Sequence, residues 1–420
     1  MPEKLPNAQR ILFTADYCYT PHKKIVSASI LCEDDKIAAI GNSSSFNVDQ
    51  NTNIFNLSGT YAVPGFIDTH IHGAGGFDSS TAEEGKEDFR LMSKTLVSHG
   101  VTSFLPTLVS LPQGRMLATV STLANLISKE YQGAAPEGIR VEGPYINKVK
   151  RGSQNEEYIR SIDIGELKEI IAAGQGKIKI MTFAPELENS IKLIEILKEN
   201  GIIPSMGHSM AEEKIVVKAI EAGANHCTHL YNGMPILHHR SVGLAGVALT
   251  DDRVTTEIIL DGFHIHPRMI DIVCRTKPKN RIIGVSDAIQ GAGLSDGTYH
   301  LGSTQINVKD GRALTDDGII AGTTLTLEHG WAHLVSYSQL DITDAAACLT
   351  INPARLLSLT QQGELLPGRT ADISFFNKDT HKTVMTIRKG KIVYIDKAYS
   401  LNSHKSNPGI LSRTHANNGK

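Results

Sequence analysis

Apolar residues recur along this chain with two periods that take turns. Runs such as VTSFLPTLV, KIKIMTFAP and RIIGVSDA are apolar and β-branched, and they read as buried strands. Most are followed by stretches in which apolar positions return every three or four residues, as on one face of a helix. GTYAVPGFIDTHIH leads to a helix around 83–98, VTSFLPTLV to one over 114–131, and IRVEGPYI to one near 164–173. KIKIMTFAP precedes a helix over 187–200. IIPSMGHS precedes one over 210–222, where Ser209 and Glu212 have capping-box spacing. NHCTHLYN, VTTEIILDGFHI and RIIGVSDA complete eight strand candidates. Repeated βα units of this number predict an α/β fold, a parallel (β/α)8 TIM-like barrel. An open doubly wound sheet is the alternative.

Both ends of the chain have a different texture. Residues 1–58 and 359–398 carry short alternating strands joined by polar turns, as in KIVSASILCEDDKIAAIG and TVMTIRKGKIVYIDK. Neither block buries a core alone, so together they predict a small β-sandwich beside a barrel at 59–358. Residues 399–420 are polar and aperiodic and read as a mobile tail. The stretch TYHLGSTQINVKDGRALTDDGIIAG interrupts the barrel rhythm as a β insertion before the last helices.

Composition narrows the class. The 420 residues are 40% apolar and 20% charged, with a net charge of -2. That makes no electrostatic case for nucleic acid or an anionic membrane. No segment approaches the ~20 apolar residues of a membrane span, and the N-terminus lacks a signal-peptide core. Cys18, Cys32, Cys227, Cys274 and Cys348 are scattered without a CxxC pair, which fits a reducing cytoplasm. There is no GxxxxGK[ST] and no GxSxG, and GAGGFD lacks the last glycine of a dinucleotide fingerprint.

The candidate chemistry sits at strand ends. His70 and His72 are two residues apart at the end of the first strand, so alternation puts both imidazoles on one face. Later strands end in Glu142, His208, His229 and Asp287, and the seventh leads to His264. In a barrel these ends converge on one face, and imidazoles with carboxylates there suit a first-row divalent cation. Singly, each has a plainer reading: a hydrogen-bonded core histidine, a salt-bridge glutamate, a capping aspartate. Their joint placement at the ends of different strands favours the site. His22, His99, His238, His239, His300 and His329 lack that placement and are read as structural. Alternation also puts Asp68 level with the histidine pair, as a partner for an imidazole. It likewise puts Cys227 on the side of His229; a Cys–His nucleophile stays open there, with a core cysteine preferred.

The motifs PGFIDTHIHG, VEGPYIN, MGHS, THLYNGMPILHHRSVGLAG, DGFHIHP, VSDA and GELLPGRTADI together resemble the N-acetylglucosamine-6-phosphate deacetylases of the amidohydrolase superfamily, over about residues 10–395. The resemblance implies that Glu142, His208 and His229 hold a retained metal, and that His70 and His72 with Asp287 hold a second, bridged by Glu142. It makes Asp287 the catalytic acid/base and His264 a sugar-binding residue. Asn232 and Gly233 match a backbone segment that meets the phosphate. Arg240 matches an arginine that grips the phosphate from the neighbouring subunit, which implies a homodimer. Gln154 stands where the family usually has a substrate-contacting histidine. The implied cofactor is one or two divalent ions per chain, Zn²⁺, Fe²⁺, Co²⁺ or Mn²⁺. The implied reaction is deacetylation of N-acetylglucosamine-6-phosphate. Competing readings are the galactosamine epimer, another cyclic-amide or N-acyl hydrolysis, and a non-enzymatic barrel scaffold.

Overall fold

The computed structural model describes residues 10–20, 23–46 and 52–400. His22 and residues 401–420 of the expected tail lie outside the described residues. Strands β1 (Arg10–Tyr19), β2 (Lys24–Glu33), β3 (Lys36–Asn42) and β4 (Asn53–Pro64) open the chain. Gly65 then passes it directly into the barrel.

Eight parallel strands form the barrel wall: β5 (Phe66–Ile71), β6 (Val101–Leu108), β7 (Ile139–Glu142), β8 (Ile178–Phe183), β9 (Ile203–Met206), β10 (His226–Cys227), β11 (Thr255–Ile259) and β12 (Ile282–Val285). They pair in sequence order. The gap between β12 and β5 is spanned by Asp287 N–H to His70 O at 2.9 Å and His72 N–H to Ala288 O at 2.8 Å. Helices cover the outside because the strands are apolar on that face too. Trp331, Phe66, Phe104 and Phe183 lie in the layer between strands and helices. The helix Ile164–Ala173 falls where periodicity places it, started by Asp163, whose Oδ1 accepts from Glu166 N at 2.9 Å.

The expected β insertion is a three-stranded antiparallel sheet: β13 (Gly297–Leu301), β14 (Thr304–Lys309) and β15 (Arg312–Leu314). After the last helices, β16 (Ile373–Asn377), β17 (Thr383–Arg388) and β18 (Lys391–Ile395) return to the opening strands. Both ends thus meet in one seven-stranded sheet, ordered β18-β17-β16-β4-β1-β2-β3. It has its own core around Phe13, Ile30, Phe375 and Ile387. Among the described residues, no helix is long and apolar enough to cross a membrane.

Two local expectations fail. The capping box does not form: the helix begins at Glu213, and its N-cap Glu212 makes no side-chain cap bond. Ser209 Oγ donates instead to Glu186 Oε2 at 2.7 Å, because the loop carrying His208 runs on past the strand before the helix can start. Asp68 does not share the face of His70. Strand β5 shifts register between Asp68 and Ile71, so alternation breaks between them. Asp68 and Ile71 end up in the outer layer beside Leu96 and Leu327, while His70 and His72 turn inward.

Candidate metal centre

Six buried side chains meet at the C-terminal rim of the barrel: His70, His72, Glu142, His208, His229 and Asp287. His70 lies on β5, and Glu142 is the last residue of β7. His208, His229 and Asp287 each sit two residues past a strand, at φ 45°, 23° and 50°. That is left-handed backbone, which non-glycine residues adopt at a cost of about 1–3 kcal/mol and which marks sites where geometry is imposed. At each of these turns the side chain swings from the wall toward the axis.

The donors fall into two sets, His70–His72–Asp287 and Glu142–His208–His229, each with its ligand atoms within 4.8 Å of one another. Glu142 Oε1 lies 3.3 Å from His208 Nε2, 3.1 Å from His229 Nε2 and 3.3 Å from His70 Nε2. Asp287 Oδ1 lies 3.3 Å from His70 Nε2 and 3.2 Å from His72 Nε2. Glu142 therefore touches both sets.

The imidazoles are aimed from behind. His72 Nδ1 meets Thr107 O at 3.2 Å, His208 Nδ1 meets Lys150 O at 2.7 Å, and His70 Nδ1 meets Glu257 Oε2 at 3.2 Å. A proton held on Nδ1 leaves Nε2 as a lone pair facing the centre, the arrangement of a metal-ligating histidine. His70 Nε2 is buried without a hydrogen-bond partner. An orphaned nitrogen among carboxylates and imidazoles is what a divalent cation satisfies, so the residues fit the group. Burial alone would raise Glu142, yet the His70 and His208 imidazoles, when protonated, hold it well below the usual carboxylate range. Burial opposes the ionised form of Asp287 too, but His70 and His72, when protonated, hold it down to about 2.

Above the rim is a cavity of about 280 Å³ lined by His72, Glu142, His208, His229, Asp287, Gln154, Asn232, Gly233 and His264. Gln154 is buried; its Nε2 donates to Glu142 Oε2 at 3.1 Å and its Oε1 accepts from Ser110 N at 2.9 Å. His264 Nδ1 is held by Asp261 Oδ2 at 2.6 Å. Gly233 has φ +62° and a Cβ there would sit 2.9 Å from His208 Nδ1, so glycine is required. The insertion supplies apolar walls through Leu301, Ile319 and Ile320. Arg240 is not among the lining residues. It is exposed, its guanidinium 2.9 Å from His239 Nε2. His99, His238, His239, His300 and His329 are also absent from the lining. Cys227 does not share a side with His229. It packs in the outer apolar layer, because β10 ends there and the chain turns at His229 before alternation can continue. Burial raises its thiol pKa, which removes the nucleophile reading.

Residues 61–393 match the sequence profile of the amidohydrolase family. An N-acetylglucosamine-6-phosphate deacetylase of Bacillus subtilis (strain 168) is 35% identical over 80% of this chain and 85% of its own length. This chain belongs to the N-acetylglucosamine-6-phosphate deacetylase family of amidohydrolases. An N-acetylgalactosamine-6-phosphate deacetylase of Escherichia coli O157:H7 is 34% identical over 76% of this chain and 84% of its own length. The crystal structure of the Thermotoga maritima deacetylase superposes with a TM-score of 0.81 at 32% identity, covering 92% of this chain and all of the other. A Mycobacterium smegmatis deacetylase mutant, solved in complex with N-acetyl-D-glucosamine-6-phosphate, gives 0.84 at 31% identity, covering 92% and 99%.

The polar floor beneath the histidines lies outside the strand-end pattern that marks the donors. Arg140, His226 and Glu257 are fully buried inside the barrel. Glu257 is paired to Arg140 and lies 3.0 Å from His226 Nε2. The available signal was a charge in the middle of the apolar run VTTEIIL, where an unpaired carboxylate is too costly to survive.

Proposed function

We propose that this chain hydrolyses the acetamido group of N-acetylglucosamine-6-phosphate, giving glucosamine-6-phosphate and acetate in amino-sugar catabolism. The observation that carries the reading is the convergence of the two donor sets on one cavity that Asn232, Gly233 and His264 also line. The relatives named above are, by their names, deacetylases of phosphorylated N-acetyl hexosamines, and that substrate class is carried over here.

In this reading Glu142, His208 and His229 hold one cation and His70, His72 and Asp287 a second, with Zn²⁺, Fe²⁺, Co²⁺ and Mn²⁺ all suited to the donors. A divalent cation, when bound, supplies the Lewis acidity that makes water a nucleophile at neutral pH and polarises an amide oxygen. Asp287, ionised at neutral pH, takes the proton of the attacking water and returns it to the departing nitrogen. His264, fixed by Asp261, faces the cavity to hold a sugar hydroxyl. Gln154 donates a hydrogen bond beside the reacting amide but, unlike histidine, cannot become cationic. The Asn232–Gly233 segment offers its backbone to the phosphate.

Arg240 belongs to the phosphate site of a neighbouring subunit. It stands on an exposed segment that also carries Ile236 and Leu237, both exposed; two adjacent apolar side chains so placed support a homodimer. The five cysteines are buried free thiols, which suits a reducing cytoplasm. A second reading, the galactosamine epimer as substrate, is favoured by the Escherichia coli relative. The test is acetate release from the two 6-phosphates and from unphosphorylated N-acetylglucosamine. The glucosamine phosphate should be turned over with the highest kcat/KM. A higher value for the galactosamine phosphate selects the second reading, and no turnover of either overturns both.

A further inference from the structure

Three of the four candidate metal histidines are aimed from behind by different kinds of groups. His72 and His208 meet backbone carbonyls, which only accept hydrogen bonds. His70 alone meets a side chain, Glu257. Glu257 divides its two oxygens. Oε1 takes Arg140 Nη1 and His226 Nε2, the latter at 3.0 Å, and lies 3.3 Å from Thr69 Oγ1. Oε2 takes His70 Nδ1 at 3.2 Å and the His229 backbone N–H at 3.4 Å. Arg140 is itself fixed by Thr228 Oγ1 at 3.0 Å and Thr69 O at 3.2 Å, so it cannot swing away. Every one of these residues is buried.

We infer that Glu257 is a positioning residue that fixes His70 as the Nδ1–H tautomer, and that Arg140 beneath it sets the direction of that hydrogen bond. The inference rests on the metal-centre reading for its consequence, not for its geometry. A carboxylate accepts at both oxygens, so it serves the cation below and the imidazole above at once. A carboxamide of the same shape cannot. In Glu257→Gln the amide oxygen must face the Arg140 guanidinium, which has only donors. The amide NH₂ then faces His70 Nδ1 and forces it to accept. The proton moves to Nε2, the atom that points at the donor cluster, and His70 no longer ligates. Replacing Arg140 as well removes the demand from below. In Arg140→Met/Glu257→Gln the amide oxygen is free to face His70, and His226 accepts from the NH₂ through Nε2 by carrying its proton on Nδ1, which has no partner here.

The experiment is ¹⁵N NMR of the Zn²⁺-loaded, full-length protein with ¹⁵N-histidine, the His70 signal being assigned with a His70→Asn variant. Zn²⁺ binding to the same proteins is then measured by chelator competition, with folding followed by circular dichroism. Wild type should carry its His70 proton on Nδ1, Glu257→Gln on Nε2, and the double variant on Nδ1 again. Zn²⁺ affinity at the His70–His72–Asp287 set should fall about 10–100-fold in Glu257→Gln and recover in the double variant. A merely structural role would not produce recovery from a second core substitution. An Nδ1–H signal in Glu257→Gln, or an Nε2–H signal in the double variant, overturns the inference. Should Glu257→Gln fail to fold, the double variant decides by the same signal. The tautomer is read without substrate, so a failure of the proposed deacetylation is separately visible.

Discussion

At the residue scale, the candidate donors are legible because each interrupts an apolar run at the place where a strand ends. His70, Glu142, His208, His229 and Asp287 all do so, and a barrel brings such ends together. Their aiming is not legible, since Thr107 O, Lys150 O and Glu257 come from elsewhere in the chain. Asp287→Asn should lower kcat by about 10²–10⁴-fold, the usual worth of a positioned acid/base, while one cation per chain stays on Glu142, His208 and His229. Kinetics with metal counting checks this, and near-normal turnover sinks the role. Gln154 is held by two partners that suit a carboxamide: it bonds Glu142 and the Ser110 N–H at once. Gln154→Ala removes both bonds, leaves the Ser110 N–H unpaired and should cost about 1–3 kcal/mol in denaturant unfolding, together with a fall in kcat. An unchanged midpoint would show the two bonds to be worth little.

At the element scale, the strands and most helices follow from periodicity, and the misses are local. The register shift in β5 arises where the chain must place two inward histidines after the inward Ile67 and Thr69; no sequence period announces it. It sends Asp68 outward and leaves the imidazole contact to Glu257. The expected capping box fails because Ser209 is spent on Glu186. The joint between the terminal sheet and the barrel carries a testable charge. Asp372, just before β16, is buried; its carbonyl accepts from Gly65 N–H and its Oδ1 accepts from Lys389 N–H at 2.7 Å. Burial pushes its carboxyl pKa up to about 6. A folded pKa above the unfolded value means that stabilisation by the proton is full below the unfolded value, near pH 4, and is lost as pH rises through about 6. Asp372→Asn keeps the acceptor and removes the buried charge. It should therefore raise stability by up to about 3 kcal/mol at pH 8 and by little at pH 4. Thermal unfolding at the two pH values checks it; the opposite ordering contradicts it.

At the scale of the whole molecule, the barrel rim supplies the donors and one wall of the cavity, and the insertion supplies another through Leu301. The terminal sheet packs from outside: Ser374 Oγ donates to Gly100 O at 2.7 Å and Thr386 Oγ1 to Val97 O at 2.7 Å. Within one chain no part of this assembly brings Arg240 to the cavity. If a second copy does so, Arg240→Ala should raise KM about tenfold or more for the 6-phosphate, because a charge-assisted bond to phosphate contributes roughly 1.5–3 kcal/mol. Light scattering should give a dimer. A monomer with full activity, or a KM unchanged by the substitution, removes the shared site. The central claim is a cation-dependent deacetylase, and one titration tests it most directly. Protein stripped with a chelator is given Zn²⁺, Fe²⁺, Co²⁺ or Mn²⁺ in steps, while acetate release from N-acetylglucosamine-6-phosphate and bound metal per chain are followed together. Acetate release should start from nothing and rise in proportion to metal bound, up to one or two ions per chain. Undiminished turnover in the stripped protein, or metal-saturated protein that releases no acetate, would contradict it.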